Sequence, residues 1–169
     1  LRPSLNKPLF PHPARFRRAQ QLGLADTFAP LVLVIMNVVF AASAYPAGRL
    51  ADRMSHGKLL AAGLAVLILA DIVLAQAHGL AAVAVGVVLW GLHLGMTQGL
   101  LATMVAGAAP SHLRGTAFGF FNLLCGAAML FASVLSGLLW DQLGAAVPFY
   151  AGAAFSVLAF VVLVLRRGS

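Results

Sequence analysis

Hydrophobic positions in this chain run in long blocks. Five segments each hold about 20 mostly apolar residues, the length an α-helix needs to cross the hydrocarbon core of a bilayer. They are Thr27–Ala47, Leu59–Gln76, Leu80–Val105, Thr116–Trp140 and Ala145–Leu165. None alternates with the period of two required of a membrane β-barrel strand. Gly and Ala recur inside the blocks, as expected where helices approach closely in lipid. The pattern predicts an all-α membrane protein of about five transmembrane helices, with the helical bundle occupying residues 27–169.

Composition supports the same class. Apolar residues make up 62% of the 169 positions and charged residues 9%, and mean hydropathy is +0.97. Soluble domains carry roughly 25% charged residues, so this chain lacks the polar surface to cover itself in water. The formal charge of +7 does not indicate nucleic acid, because the basic residues sit at the ends of apolar blocks and form no basic face. The single Cys125 lies within an apolar block, which excludes an internal disulfide and a Cys-based metal site.

The connecting segments divide unequally in charge. One set consists of Gly48–Lys58, Ala108–Gly115 and the C-terminal tail; it carries Arg49, Arg53, Lys58, Arg114, Arg166 and Arg167. The opposite set includes the turns Ala77–Gly79 and Asp141–Gly144, which contain no Lys or Arg. The positive-inside rule places the first set, with loop 48–58 and the C-terminus, in the cytoplasm of a bacterial inner (plasma) membrane protein. Residues 1–26 do not fit this division. They hold Pro3, Pro8, Pro11 and Pro13 with Arg2, Lys7, Arg15, Arg17 and Arg18, yet five spans put them outside. Two readings stand: a native arm that is translocated, or a non-native junction or disordered segment where a preceding span is missing. The second is the expectation.

The loop between the first two blocks carries the most information. It runs Gly48-Arg49-Leu50-Ala51-Asp52-Arg53-Met54-Ser55-His56-Gly57-Lys58-Leu59-Leu60, a short polar hairpin whose Arg53 and Lys58 suit an anionic leaflet. It resembles the signature loop of the major facilitator superfamily, Gly-x-Leu-Ala-Asp-Arg-x-Gly-Arg-Lys-x-x-Leu. Gly48, Leu50, Ala51, Asp52, Arg53 and Leu60 match in register, while Ser55 replaces Gly and His56-Gly57 replace Arg-Lys. The segment Pro110-Ser111-His112-Leu113-Arg114-Gly115-Thr116-Ala117-Phe118-Gly119 is similar to the family's loop between its tenth and eleventh helices. The resemblance covers residues 19 to 167.

Several expectations follow from that resemblance. The five blocks correspond to helices eight to twelve, part of the C-terminal six-helix bundle. The partners implied are the lipid bilayer, a small-molecule substrate and the missing N-terminal bundle, and no cofactor is implied. Gly48, Asp52 and Arg53 become elements of a cytoplasmic gate, with Arg114 either a further member or a plain anchor. Such carriers rock two bundles about a midplane site. This polypeptide by itself is expected to be inactive in transport. The rival reading is a non-transporting membrane scaffold or partner-binding module, which would show no polar-lined cavity.

Polar groups inside apolar spans usually face a bundle interior or a water-filled path. His93 and Thr97 are four residues apart on one face of the third span, with Gln98 beside them. These three, together with Asn37 and Asn122, are the substrate-path candidates, and the transporter reading predicts that Asn37, His93 and Asn122 converge. Each could equally hydrogen-bond a neighbouring helix. Asp71, the acidic residue well within a span, is either a proton-relay candidate or a structural pairing group. Gly86, Gly91, Gly95 and Gly99 mark a bare ridge on the third span, for close packing or bending. There is no nucleotide-binding Gly-Lys-Ser/Thr loop, no cluster of metal ligands among the scattered His12, His56, His78, His93 and His112, and no convergent catalytic set. Neither an enzyme nor a metal site is expected.

Overall fold

The computed structural model describes residues 29–168. Five helices span them: α1 (Ala29–Ala51), α2 (His56–Ala75), α3 (Leu80–Ala108), α4 (Arg114–Leu143) and α5 (Val147–Gly168), with a 3₁₀ turn at Ser111–Leu113. Each helix is long and apolar enough to cross a membrane. No strand occurs among the described residues. The basic arm and its proline-rich opening lie outside the described residues, as do Thr27 and Phe28.

Local chemistry explains each boundary. The end of α1 tightens as the Leu50 carbonyl accepts both the Arg53 N–H (3.1 Å) and the Met54 N–H (2.9 Å). Ser55 then turns extended and opens α2, its carbonyl accepting the Lys58 N–H at 2.8 Å. Ala109 is extended at the end of α3, as a residue preceding proline prefers to be. The Leu113 N–H closes the following turn onto the Pro110 carbonyl at 2.9 Å. Gly144 ends α4 at φ 105° and ψ 168°, a backbone region essentially restricted to glycine. Pro148 follows in the first turn of α5, where its missing N–H removes no helical bond.

Helix α3 is the hub. Both α1 and α2 pack along it, and α5 packs on α2, while α4 touches α3 and α5 only sparsely. The packing uses bare backbone. A Cβ on Gly91 would sit 2.7 Å from the Met36 carbonyl, and one on Gly95 would collide with Ser43 and lie 3.1 Å from the Phe40 carbonyl. Those pairings advance together along the sequence, so α1 and α3 run parallel. On the other face Gly63 of α2 meets Thr97 and His93, and Leu74 meets Gly86. There the pairing reverses, so α2 runs antiparallel to α3. Gly86, Gly91 and Gly95 are thus packing positions, whereas Gly99 has nothing within 4 Å of an added Cβ.

This arrangement puts the α1–α2 connector and the α3–α4 turn at one end of the bundle. Arg49, Arg53, Lys58 and Arg114 gather there, and the opposite turns carry His78 and Asp141 without Lys or Arg. The charge division seen in the sequence is therefore a division between the two ends of the molecule.

Candidate functional site

At the connector end, α1 and α3 diverge and leave a pocket of ≈ 540 Å³. The parallel register creates it. Where Gly91 and Gly95 face α1 the backbones nearly touch, and one turn further Gly99 faces open space. Its polar groups are Asp52, Gln98 and Thr103; its apolar wall includes Phe40, Leu59 and Met96. Gly48 lies on the rim, so the loop that resembles the family signature borders the cavity directly. Gln98 is exposed to the pocket, and among the described residues no hydrogen bond occupies its amide. It offers two donors and an acceptor. The Thr103 hydroxyl donates to the Leu100 carbonyl at 2.7 Å and lies 3.2 Å from that of Gly99, which leaves its lone pairs free.

Sequence reasoning does not single out Thr103. Its signal is the stripe Gly95-Gly99-Thr103, which repeats every four residues and therefore shares one face of the helix. Phe40, Leu59 and Met96 also escape notice, because an apolar residue in an apolar block carries no local mark.

The other substrate-path candidates lie elsewhere. The His93 Nδ1–H donates to the Gly63 carbonyl of α2 at 2.8 Å, tying the two helices together. Thr97 is buried at 4% exposure and donates to the His93 carbonyl at 2.8 Å, its methyl pressed on Gly63. Both belong to the α2–α3 seam. Asn37 is exposed on α1 and donates to the Leu33 carbonyl at 2.8 Å. Asn122 is exposed on α4. None of Asn37, His93 and Asn122 lines the α1–α3 pocket. The expected convergence of these three is not seen there, and Gln98 stands in the pocket with Asp52 and Thr103 instead. The physical reason is helix rotation: a polar residue one position along a helix is turned by about 100°, enough to send Thr97 to α2 and Gln98 toward α1.

The residues expected at a gate lie at the connector end of the bundle. Asp52 and Arg53 are both exposed, as is Arg114 at the start of α4. Among the described residues no ion pair joins Asp52 to either arginine. Arg49 and Arg53 instead flank a shallow notch with Pro46 and Leu50. Asp71 lies far along α2 from this end, buried against α5 beside Gly152. No group of three or more His, Cys, Asp or Glu that could hold a metal occurs among the described residues.

Comparison with known proteins places this architecture. An uncharacterized MFS-type transporter of Bacillus subtilis, YwfA, is 30% identical over 141 residues, 82% of this chain and 34% of the relative. The chain thus spans about a third of the length of the curated relative it matches. Among solved structures, the peptide transporter POT in complex with sulfate matches with a TM-score of 0.74 at 23% identity, over 86% of this chain and 30% of that one. A mutant form of POT in complex with alafosfalin matches with a TM-score of 0.75 at 23% identity, over 87% and 31%. These two show the fold. The sequence model of the Major Facilitator Superfamily matches residues 8–169. This chain belongs to the Major Facilitator Superfamily and is an integral membrane protein of its transporter fold.

Proposed function

We propose that residues 29–168 form part of a secondary transporter that moves a small molecule, with a complementing bundle supplying the other wall of the path. The α1–α3 pocket carries this reading. It joins the connector that matches the family signature, through Gly48 and Asp52, to an unoccupied amide on α3, Gln98, in one cavity of ≈ 540 Å³. That volume falls in the range that suits small-molecule sites, and so does the mixture of an apolar wall with a few polar groups. A scaffold would have no use for such a cavity.

In this reading Gln98 and Thr103 orient the solute, and Asn37 and Asn122 meet it where the complementing bundle closes over α1 and α4. His93 and Thr97 belong to the α2–α3 seam, outside the pocket. Asp52, Arg53 and Arg114 face the cytoplasm of a bacterial inner membrane and latch across to the complementing bundle, since they find no ion-pair partner among the described residues. Asp71, the proton-relay candidate, does not line the pocket, so a proton carried there would cross apart from the solute.

The test is uptake into proteoliposomes holding this chain with its complementing bundle, using labelled peptides, sugars and lipophilic cations. One class should be taken up, and Gln98→Ala should raise its KM by about tenfold, the loss expected when a hydrogen-bonding site loses its partner. Uptake of one class with a KM indifferent to Gln98→Ala would remove the pocket from the path.

A further inference from the structure

Arg49 and Arg53 border an opening on another side of α1. With Pro46 and Leu50 they line a notch of ≈ 320 Å³, at the small end of the volumes that hold ligands. Arg49 lies in the last turn of α1, and Arg53 follows in the tightened turn after it. Both are exposed, and among the described residues neither has an ion-pair partner. Asp52, the one acid of the connector, lines the α1–α3 pocket and not the notch. The notch therefore presents paired guanidinium groups with no carboxylate between them. Each carries its N–H donors in a planar fork that matches the oxygens of a phosphate.

The face that leads to the notch is apolar. Leu31, Val38 and Tyr45 recur every seven residues and are all exposed, so they form one stripe along α1. Arg49 lies a turn beyond Tyr45 and ends the stripe in positive charge. Tyr45 itself has the apolar body and polar tip that suit the headgroup boundary of a bilayer. Pro46 has no N–H to offer the Ala42 carbonyl, which keeps an acceptor beside the notch. Position decides what this surface meets. At about 100° per residue, Pro46 lies half a turn around α1 from Asn37, nine residues earlier. The notch is thus turned away from the side over which the complementing bundle is proposed to close, and toward lipid.

We propose that the notch binds the phosphodiester of an anionic phospholipid of the inner leaflet, held between Arg49 and Arg53, with an acyl chain laid along Tyr45 and Val38. Pro46 and Leu50 floor the site under the glycerol. A zwitterionic lipid brings its own cation to the same place, where both arginines repel it, so the notch discriminates between headgroups. Arg53 has five N–H donors and keeps some for the latch described above. The outward turn of the notch rests on the reading that a complement closes over the Asn37 side, but the site does not depend on which solute is moved.

The test is native mass spectrometry of the chain in neutral detergent micelles, with phosphatidylglycerol or phosphatidylcholine of matched chains added. The first phosphatidylglycerol should bind about 25-fold more tightly than phosphatidylcholine, each arginine contributing about fivefold beside an anionic lipid. Arg49→Gln and Arg53→Gln should each cut that preference about fivefold, and the double variant should bring it below about twofold. Lys58→Gln removes the same charge from the same end but outside the notch, and should change the preference by less than about twofold. Equal affinity for the two lipids, or a preference that survives the double variant, would overturn the proposal. So would a Lys58→Gln effect as large as that of Arg49→Gln, which makes the attraction one of diffuse charge. Displacement of phosphatidylglycerol by an equal concentration of glycerol phosphate would overturn it in favour of a soluble organophosphate. A preference confined to Arg49 and Arg53 in a carrier that moves no solute would leave this site standing and sink the transport reading alone.

Discussion

Replacing Gly91 with alanine adds one methyl group where α1 and α3 come closest. The new Cβ would lie 2.7 Å from the Met36 carbonyl oxygen and 3.0 Å from the Val39 Cβ. Ordinary contact begins near 3.4 Å, so α1 must retreat by about 0.7 Å, and the obstructing atom is backbone that no rotamer change can move. Overpacking of a well-fitted seam costs about 1–3 kcal/mol. Alanine recovers up to about 1 kcal/mol through its better helix propensity. The net expectation is a loss of about 1 kcal/mol, rising when valine adds two more methyls. Gly99 provides the control on the same helix: an added Cβ meets nothing within 4 Å, so Gly99→Ala should be neutral or slightly stabilising. Reversible unfolding in mixed detergent micelles, followed by circular dichroism, measures both, with Trp90 beside the altered position as a second probe. If Gly91→Ala and Gly99→Ala shift the transition equally, the α1–α3 register described above is wrong.

Other substitutions probe separate features. Gly144→Ala places a Cβ at φ 105° and ψ 168° and should cost about 1–3 kcal/mol in the same unfolding assay; a change under about 0.3 kcal/mol would show that the α4–α5 turn is built differently. Gly63→Ala sets a methyl against the Thr97 methyl, and Thr97→Ser removes the obstruction. The double variant should therefore regain about 1 kcal/mol over the simple sum, whereas additivity would separate the two residues. His93→Leu deletes the Nδ1–H donor to Gly63 and should lower stability by about 0.6–1.7 kcal/mol, the range of interhelical hydrogen bonds in membranes. Its solute KM should hold in the uptake assay, and a KM change with intact stability would move His93 from the seam to the solute path.

Much of the fold was legible because lipid imposes a length. A segment such as Leu80–Val105 has no other use for its apolar run, and α3 occupies it with a few residues added at the C-terminal end. The charge division was legible too, since Arg49, Arg53 and Arg114 sit in connectors that α1, α2 and α3 bring to one end. The site was harder to read. His93 and Gln98 look alike in sequence, both polar in an apolar run; what separates them is the Gly63 carbonyl, supplied by a helix thirty residues away. No periodicity within α3 reveals which of its faces meets α2, because the helix is apolar on nearly every side. Thr103 is hidden for the same reason. Asp71 is visible as an oddity, but its burial appears only once α5 is laid against α2.

Gln98 lines the pocket at the connector end, and water should reach that position if the pocket serves the carrier proposed for it. Thiol chemistry at that position tests it most directly. With Cys125→Ser as background, Gln98→Cys is exposed to a membrane-impermeant maleimide in right-side-out and inside-out vesicles, with Thr97→Cys treated in parallel. Labelling of the Gln98→Cys variant from the cytoplasmic face, with the Thr97→Cys variant unreactive from either side, is the predicted result. A Gln98→Cys thiol that reacts from neither face, or no faster than the Thr97→Cys thiol, would contradict it.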